Sequence, residues 1–394
     1  MNFFRIFVQV ISLIVLSELP AQEFTEDEEP SYVEERGIEV PTSFSSASSV
    51  ESNDQPMSIE SKPVPPTSNI FFARTSTAYN GVSRLIITEE YLYLAAREDG
   101  LGYGTTTGFS TLPANSTQAV LTQAPAFVFA GEERKLNPGF ASGSRLGISY
   151  SIPTNNWNVR AAWTWYANSA TDSTNLPIWP FWLNSGFTPL AGSATGKWNL
   201  YFNQLDGLIG ACCFSNRFVR ITPSIGVRGA WIDQTIDVTY NNVIFQNGIS
   251  TIHSSIQSNN QSNCSGVGLL GSIDIDWVFG KGFSLYTNGA VALLWSSFNI
   301  QVNEILPNGT SRATVTDPLQ TTSPVLDLSA GVQWETTLLK DRLLLQIQLG
   351  WEEHLWFDQN QFDRSMDSQT VGVYMNTNGN LGLSGLTASL SLGF

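Results

Sequence analysis

Residues 386–394 read "LTASLSLGF". Leu386, Ala388, Leu390, Leu392 and Phe394 are apolar, and Thr387, Ser389, Ser391 and Gly393 stand between them. A period of two is the geometry of a β-strand, whose successive side chains point to opposite faces. On a helix the same five positions would step about 200° apart and share no single face.

The same alternation recurs upstream. In "LLLQIQLGW" the apolar phase is Leu343, Leu345, Ile347, Leu349 and Trp351. In "LDLSAGVQW" it is Leu326, Leu328, Ala330, Val332 and Trp334. Ile273, Ile275, Trp277 and Phe279 oppose Ser272, Asp274 and Asp276, and Val219, Ile221, Ile225, Val227 and Trp231 oppose Arg220, Thr222, Ser224 and Arg228. Trp157, Val159, Ala161, Trp163 and Trp165 oppose Asn158, Arg160 and Thr164. These runs reach the roughly 9–11 residues that a tilted strand needs to cross a bilayer, whereas strands of soluble proteins average about five or six. The apolar phase often closes on an aromatic residue, as at Trp165, Trp231, Trp277, Trp295, Trp334, Trp351 and Phe394. Aromatic girdles of this kind flank the apolar band of outer-membrane barrels.

Tight turns are predicted at 153–156, 214–216, 280–282 and 339–341. Long polar loops are predicted between them, at 98–138, 168–196, 241–264, 299–324 and 358–380. Strict alternation of short and long connections places all the turns on one side of a membrane and all the long loops on the other. The strands then fall near 84–97, 139–152, 157–167, 197–213, 217–240, 265–279, 283–298, 325–338, 342–357 and 381–394. The predicted fold class is all-β, an antiparallel transmembrane β-barrel. It has ten strands, or twelve if "APAFVFAGEER" (124–134) adds a hairpin, and with an even count both chain ends lie on the short-turn, periplasmic side.

Composition agrees with this reading. Charged residues are 13% of the 394, about half the usual share of ~25%. The net charge of -15 leaves no basic surface for phosphates and argues against a nucleic-acid partner. Residues 22–62 hold eleven acidic and two basic residues, -9 of that total. Residues 1–21 read as a signal peptide, with Arg5, a short apolar core over 6–16 and Leu19-Pro20-Ala21 before the cut. Residues 22–70 are acidic, then Ser-rich, then Pro-rich, and are predicted to be a disordered linker. Residues 71–394 form the barrel domain.

Several stretches carry a resemblance. "EYLYLAAREDGLGY" (90–103), "NPGFASGSRLGISYSIPTNNWNVRAAWTW" (137–165), "KWNLYFNQLDGLIG" (197–210), "IGVRGAWIDQTIDVTY" (225–240) and "LGWEEHLWFDQNQF" (349–362) are similar to the Legionella-type pore-forming outer-membrane protein family. That family is major-outer-membrane-protein-like and also occurs in environmental chlamydiae. The resemblance covers residues 84–394, and "RGAWIDQ" with "GWEEHLWFDQNQF" is its most specific part. It implies a passive pore for ions or small solutes in the outer membrane, with no catalytic or cofactor residues. The alternative is a closed barrel that is structural or displays adhesive loops.

Candidate pore-lining charges are those in the polar phase: Arg145, Arg160, Arg220, Arg228, Asp274, Asp276, Asp327 and Glu335. On the lipid side each would cost about 2–4 kcal/mol at the bilayer midplane. No enzyme is expected. His253 and His354 have no nucleophile motif beside them, no paired-His or Cys-pair metal spacing appears, and no helix follows "GLGYG" (100–104). An oxidising envelope permits disulfides. Cys212 and Cys213 are expected at the periplasmic end and Cys264 at the outer end, too far apart to bridge within one chain. All three are therefore candidates for cross-linking between copies in a homo-oligomer. Phe394, a terminal aromatic on the last strand, resembles the signal read by the barrel assembly machinery. Expected partners are thus outer-membrane lipid, that machinery and small solutes or ions.

Overall fold

In hydrocarbon every backbone N–H and C=O must find a partner within the protein, so alternating strands have to pair along both edges. A computed structural model describes residues 84–107, 131–152, 157–183, 189–245, 251–338, 342–365 and 374–394. Ten long strands carry the fold: β1 (Arg84–Glu98), β2 (Phe140–Ile152), β3 (Trp157–Thr174), β4 (Ser193–Ala211), β5 (Val219–Phe245), β6 (Thr251–Gly280), β7 (Phe283–Ile305), β8 (Ser311–Leu338), β9 (Leu343–Asn360) and β10 (Gly379–Gly393). Each pairs antiparallel with its neighbours in the chain, and β10 returns to β1, from Ile86 opposite Gly393 to Glu98 opposite Leu381. The barrel is closed with ten strands. The twelve-stranded variant is not adopted: Glu133–Lys135, the described end of the extra hairpin, pairs with Gly102–Thr106 outside the barrel. Residues 1–70, which carry the expected signal peptide and linker, lie outside the described residues, as do 124–130 and the turns at 153–156 and 339–341.

The lipid-facing surface follows the predicted phase. Ile225, Leu269 and Trp295 are 70%, 69% and 66% exposed on the outer face, while Leu294 beside Trp295 is 0% exposed. One aromatic girdle, near the tight turns, comprises Tyr150, Trp157, Phe218, Trp277, Phe279, Phe283, Trp334 and Phe394 on the outward face. The other comprises Tyr93, Phe140, Trp165, Tyr201, Trp231 and Trp295, with Tyr93 and Phe140 stacked 5.1 Å apart. The turn between β6 and β7 is tight because Gly280, Lys281 and Gly282 all take positive φ, at 101°, 56° and 82°. Glycine adopts that conformation without strain.

At the long-loop end the strands run further than the sequence suggests. The expected loops 241–264 and 299–324 are mostly ladder. The β5–β6 pairing continues from Asp233 opposite Asn263 to Phe245 opposite Thr251, so the backbone of His253 is in a strand. The β7–β8 pairing continues to Ile305 opposite Ser311, where Leu306 and Thr310 close the connection. The physical reason is solvent. Beyond the bilayer the outward face meets water and turns polar, so the apolar-out pattern stops while the strand does not.

A cap sits at this end. Gly102–Thr106 is the middle strand of a small sheet between Glu133–Lys135 and Ile178–Pro180. Trp182 donates its indole N–H to the Gly102 carbonyl at 2.9 Å, and the Arg364 guanidinium stacks 4.4 Å over the Trp182 ring. The Tyr103 hydroxyl donates to Asp172 at 2.9 Å, and Arg134 donates to the same carboxylate at 2.7 Å. Burial raises the pKa of the Tyr103 phenol above its usual value.

Candidate functional site

The inward phase of the membrane-spanning part is polar, and its charges are arranged in layers. Nearest the tight turns, Arg220 on β5 donates to Asp276 on the adjacent β6 through Nε at 3.0 Å and Nη2 at 2.6 Å. Next, Arg160 on β3 meets Asp274 on β6 at 2.7 Å. These strands are separated by β4 and β5 in the sheet order, so this pair reaches across the lumen. Asn288 also donates to Asp274. On the opposite wall, Ser389 donates to Gln348 at 3.0 Å and Gln348 to Gln333 at 2.7 Å.

The third layer is a continuous network. Arg145 on β2 donates to Glu90 on β1 at 2.6 Å and to both oxygens of Glu352 on β9 at 3.0 and 3.1 Å. His354 places Nε2 3.2 Å from Glu352 and Nδ1 2.7 Å from Asp327 on β8. Asp327 meets Arg228 on β5 at 2.7 Å, and Arg228 makes two bonds to Asp206 on β4, at 2.7 and 2.8 Å. Neither β2 and β9 nor β5 and β8 are neighbours in the sheet. The network therefore crosses the lumen twice and ties six strands together. Removing one partner from such a buried pair leaves an uncompensated charge, a loss of about 3–5 kcal/mol.

Two cavities of about 340 and 240 Å³ occupy this polar part of the lumen. Both are lined by Arg160, Asp274, Tyr286, Asn288, Gln346 and Gln348, so they meet at the Arg160–Asp274 layer. Tyr286 lies flat on the wall there. Its ring covers Gly331 and Gly350, and a Cβ at Gly331 would stand 2.8 Å from Tyr286 Cε1. The two glycines thus keep the ring out of the lumen centre.

Towards the cap the lumen changes character. Leu92, Leu94, Tyr166, Leu200, Phe202, Ile232, Leu294, Phe298, Trp356, Leu381 and Leu383 are all at most 2% exposed and belong to one apolar cluster. They come from β1, β3, β4, β5, β7, β9 and β10. Phe202 and Trp356 meet edge to face, 5.5 Å apart. This packing fills the outer end of the lumen among the described residues.

All eight predicted lining charges face inward in the polar part. Arg145, Arg160, Arg220, Arg228, Asp274, Asp276 and Asp327 sit in the ion pairs above, and Glu335 accepts a bond from Gln333 at 3.4 Å. Their partners Glu90, Asp206, Glu352 and His354 were not among the expected lining residues. Phase parity could have identified Glu90, which alternates with Thr88 and Leu92 on the inward face. His354 is buried in the network. Cys212 is half-buried and Cys213 exposed at the turn between β4 and β5, and neither is bonded to Cys264. Cys264 is 4% exposed inside the apolar packing, so cross-linking to another copy through it is sterically closed. Phe394 is 60% exposed at the tight-turn girdle, its backbone paired with Leu85 at 2.9 and 3.2 Å. Among the described residues no group of three or more His, Cys, Asp or Glu side chains is placed to hold a metal ion.

A closed antiparallel barrel with an apolar belt between two aromatic girdles and a charged interior is an outer-membrane β-barrel. Residues 87–394 match the family described as Legionella pneumophila major outer membrane protein precursor, and the chain belongs to that family. No curated protein matches it. Among solved structures it is similar to the outer membrane protease OmpT from Escherichia coli, at 11% identity over 79% of this chain and 96% of that one, with a TM-score of 0.34. It is also similar to a Pseudomonas aeruginosa FadL homologue, at 8% identity over 79% and 90% of the two chains, with a TM-score of 0.24. The Pseudomonas putida toluene transporter TodX matches at 8% identity over 79% and 89%, with a TM-score of 0.21.

Proposed function

We propose that the protein is an outer-membrane barrel closed to passive diffusion in the conformation described, and that it serves as a structural platform presenting its cap at the cell surface. The observation that carries this reading is the apolar packing of Leu92, Phe202, Leu294, Trp356 and Leu383 across the outer end of the lumen. An ion would have to leave water to enter such packing, where the buried polar side chains, among them Gln234, Ser296 and Gln359, are interspersed among apolar ones. Ten strands also make a narrow barrel: about eight give a lumen that side chains fill, and clear aqueous channels belong to about sixteen or more.

One observation favours the second reading, a diffusion pore for ions or small solutes. The two polar cavities meet and run from the tight-turn end up to the Arg145–His354–Arg228 network. A pore would need the cap and the apolar packing to move aside. Purified full-length protein in planar bilayers separates the readings. The closed barrel gives no stepwise conductance, and regular channel openings by the wild type would overturn it. Cross-linking between copies at Cys212 or Cys213 belongs to the same proposal, and non-reducing gels of outer membranes that show monomer alone would remove it.

A further inference from the structure

Beyond the outer girdle, β6 and β7 present an unusual outward face. Its nine positions are Gln257, Asn259, Gln261, Asn263 and Ser265 on β6, with Ser297, Asn299, Gln301 and Asn303 on β7. The strands are paired in register, so Asn263 stands opposite Asn299, Gln261 opposite Gln301 and Asn259 opposite Asn303. The result is three matched rows of carboxamides, about 7 Å apart along the strands and about 4.8 Å across. All nine side chains are exposed or half-exposed, and none is charged. A face meant only for bulk water ordinarily carries about 25–35% Lys, Arg, Glu and Asp.

The position of this face says what it meets. Ser265 and Ser297 oppose each other immediately beyond Val267 and Trp295, the last lipid-facing pair. Whatever lies above the hydrocarbon of the outer leaflet therefore packs against it. Gln257 to Asn263 covers about 20 Å along a strand. A phospholipid headgroup layer adds only about 5–7 Å to each side of the hydrocarbon core. The face is thus too tall for phospholipid headgroups alone, and it has no cation for phosphate. A carboxamide both donates and accepts hydrogen bonds, which suits neutral, closely spaced hydroxyl groups.

We infer that the Asn/Gln rows of β6 and β7 bind the neutral sugars of an outer-leaflet glycolipid. Asp233 and Asp237 border the rows on β5, Asp237 opposite Lys197 of β4, and they keep anionic groups at the margin. Matched amide rows could also pair with a second copy of the chain, since such ladders stack well, and the test separates that outcome.

The experiment uses full-length protein in detergent micelles and two probes: lipopolysaccharide carrying its hexose core, and lipid A alone. The core-bearing lipid should bind at least about tenfold more tightly, the scale of several neutral hydrogen bonds acting together. The variant N263T/Q261T/N299T/Q301T should lose that difference while keeping the heat-dependent gel mobility of a folded barrel. Equal binding of the two probes by the wild type overturns the inference, and this comparison stands even if the variant does not fold. Self-association through the face, seen as cross-linking of Q261C to Q301C between copies, assigns the face to a second copy and also overturns it.

Discussion

Strand β7 is one unbroken ladder from Phe283 to Ile305, yet its two halves follow opposite rules. Up to Trp295, the outward residues are Phe283, Leu285, Thr287, Gly289, Val291, Leu293 and Trp295, and the inward ones include Ser284, Tyr286 and Asn288. Beyond Trp295, the outward residues are Ser297, Asn299, Gln301 and Asn303, and the inward ones are Phe298, Ile300 and Val302 between Ser296 and Glu304. Strand β5 inverts the same way, from Arg220 and Arg228 inside to Ile232, Ile236 and Val238 inside. The inversion marks where the solvent changes. In hydrocarbon the polar side chains go inward; in water the apolar ones do.

Substitutions that exchange the rules should have unequal effects in the two regions. The largest is expected where both meet. Trp356→Ala empties the packing between the polar network and the cap, so it should cost about 3–5 kcal/mol of barrel stability, read as denaturant unfolding in micelles. If the closed-barrel proposal holds, the same variant should show channel openings that the wild type lacks. Leu269→Arg places a charge against lipid and should cost about 2–4 kcal/mol. The matching change beyond the girdle, Asn299→Arg, should fall within about 0.5 kcal/mol. If the two arginine variants unfold alike, the inversion has no energetic meaning. Deleting Phe394 should lower the yield of heat-modifiable barrel in membranes without changing the unfolding of what does assemble; unchanged yield would remove its proposed role as the assembly signal. Smallest of all, Cys264→Ser should leave gel mobility under non-reducing conditions unchanged, because that thiol is enclosed.

Within the bilayer most of the fold was legible. Ten strands, their order and the outward phase could be read because lipid imposes one rule on every residue of a spanning strand. The expected and observed starts of β2, β3, β7 and β9 differ by a residue at most. Outside the bilayer, 241–264 and 299–324 are mostly ladder where the sequence pattern predicts loop. There Asn, Gln, Ser and Thr face water and the apolar residues shift phase by one, which reads as irregular chain.

The site divides similarly. Alternation alone determined that Arg145, Arg160, Arg228 and Asp327 point into the lumen. Only the tertiary structure decided that Arg145 meets Glu352, that Arg228 meets Asp327, and that Phe202 and Trp356 pack edge to face above them. Parity states which face of a strand a side chain occupies. It carries neither height nor position around the barrel, and these bonds join strands that are never neighbours. Those two coordinates come from strand stagger and closure, a property of all ten strands together.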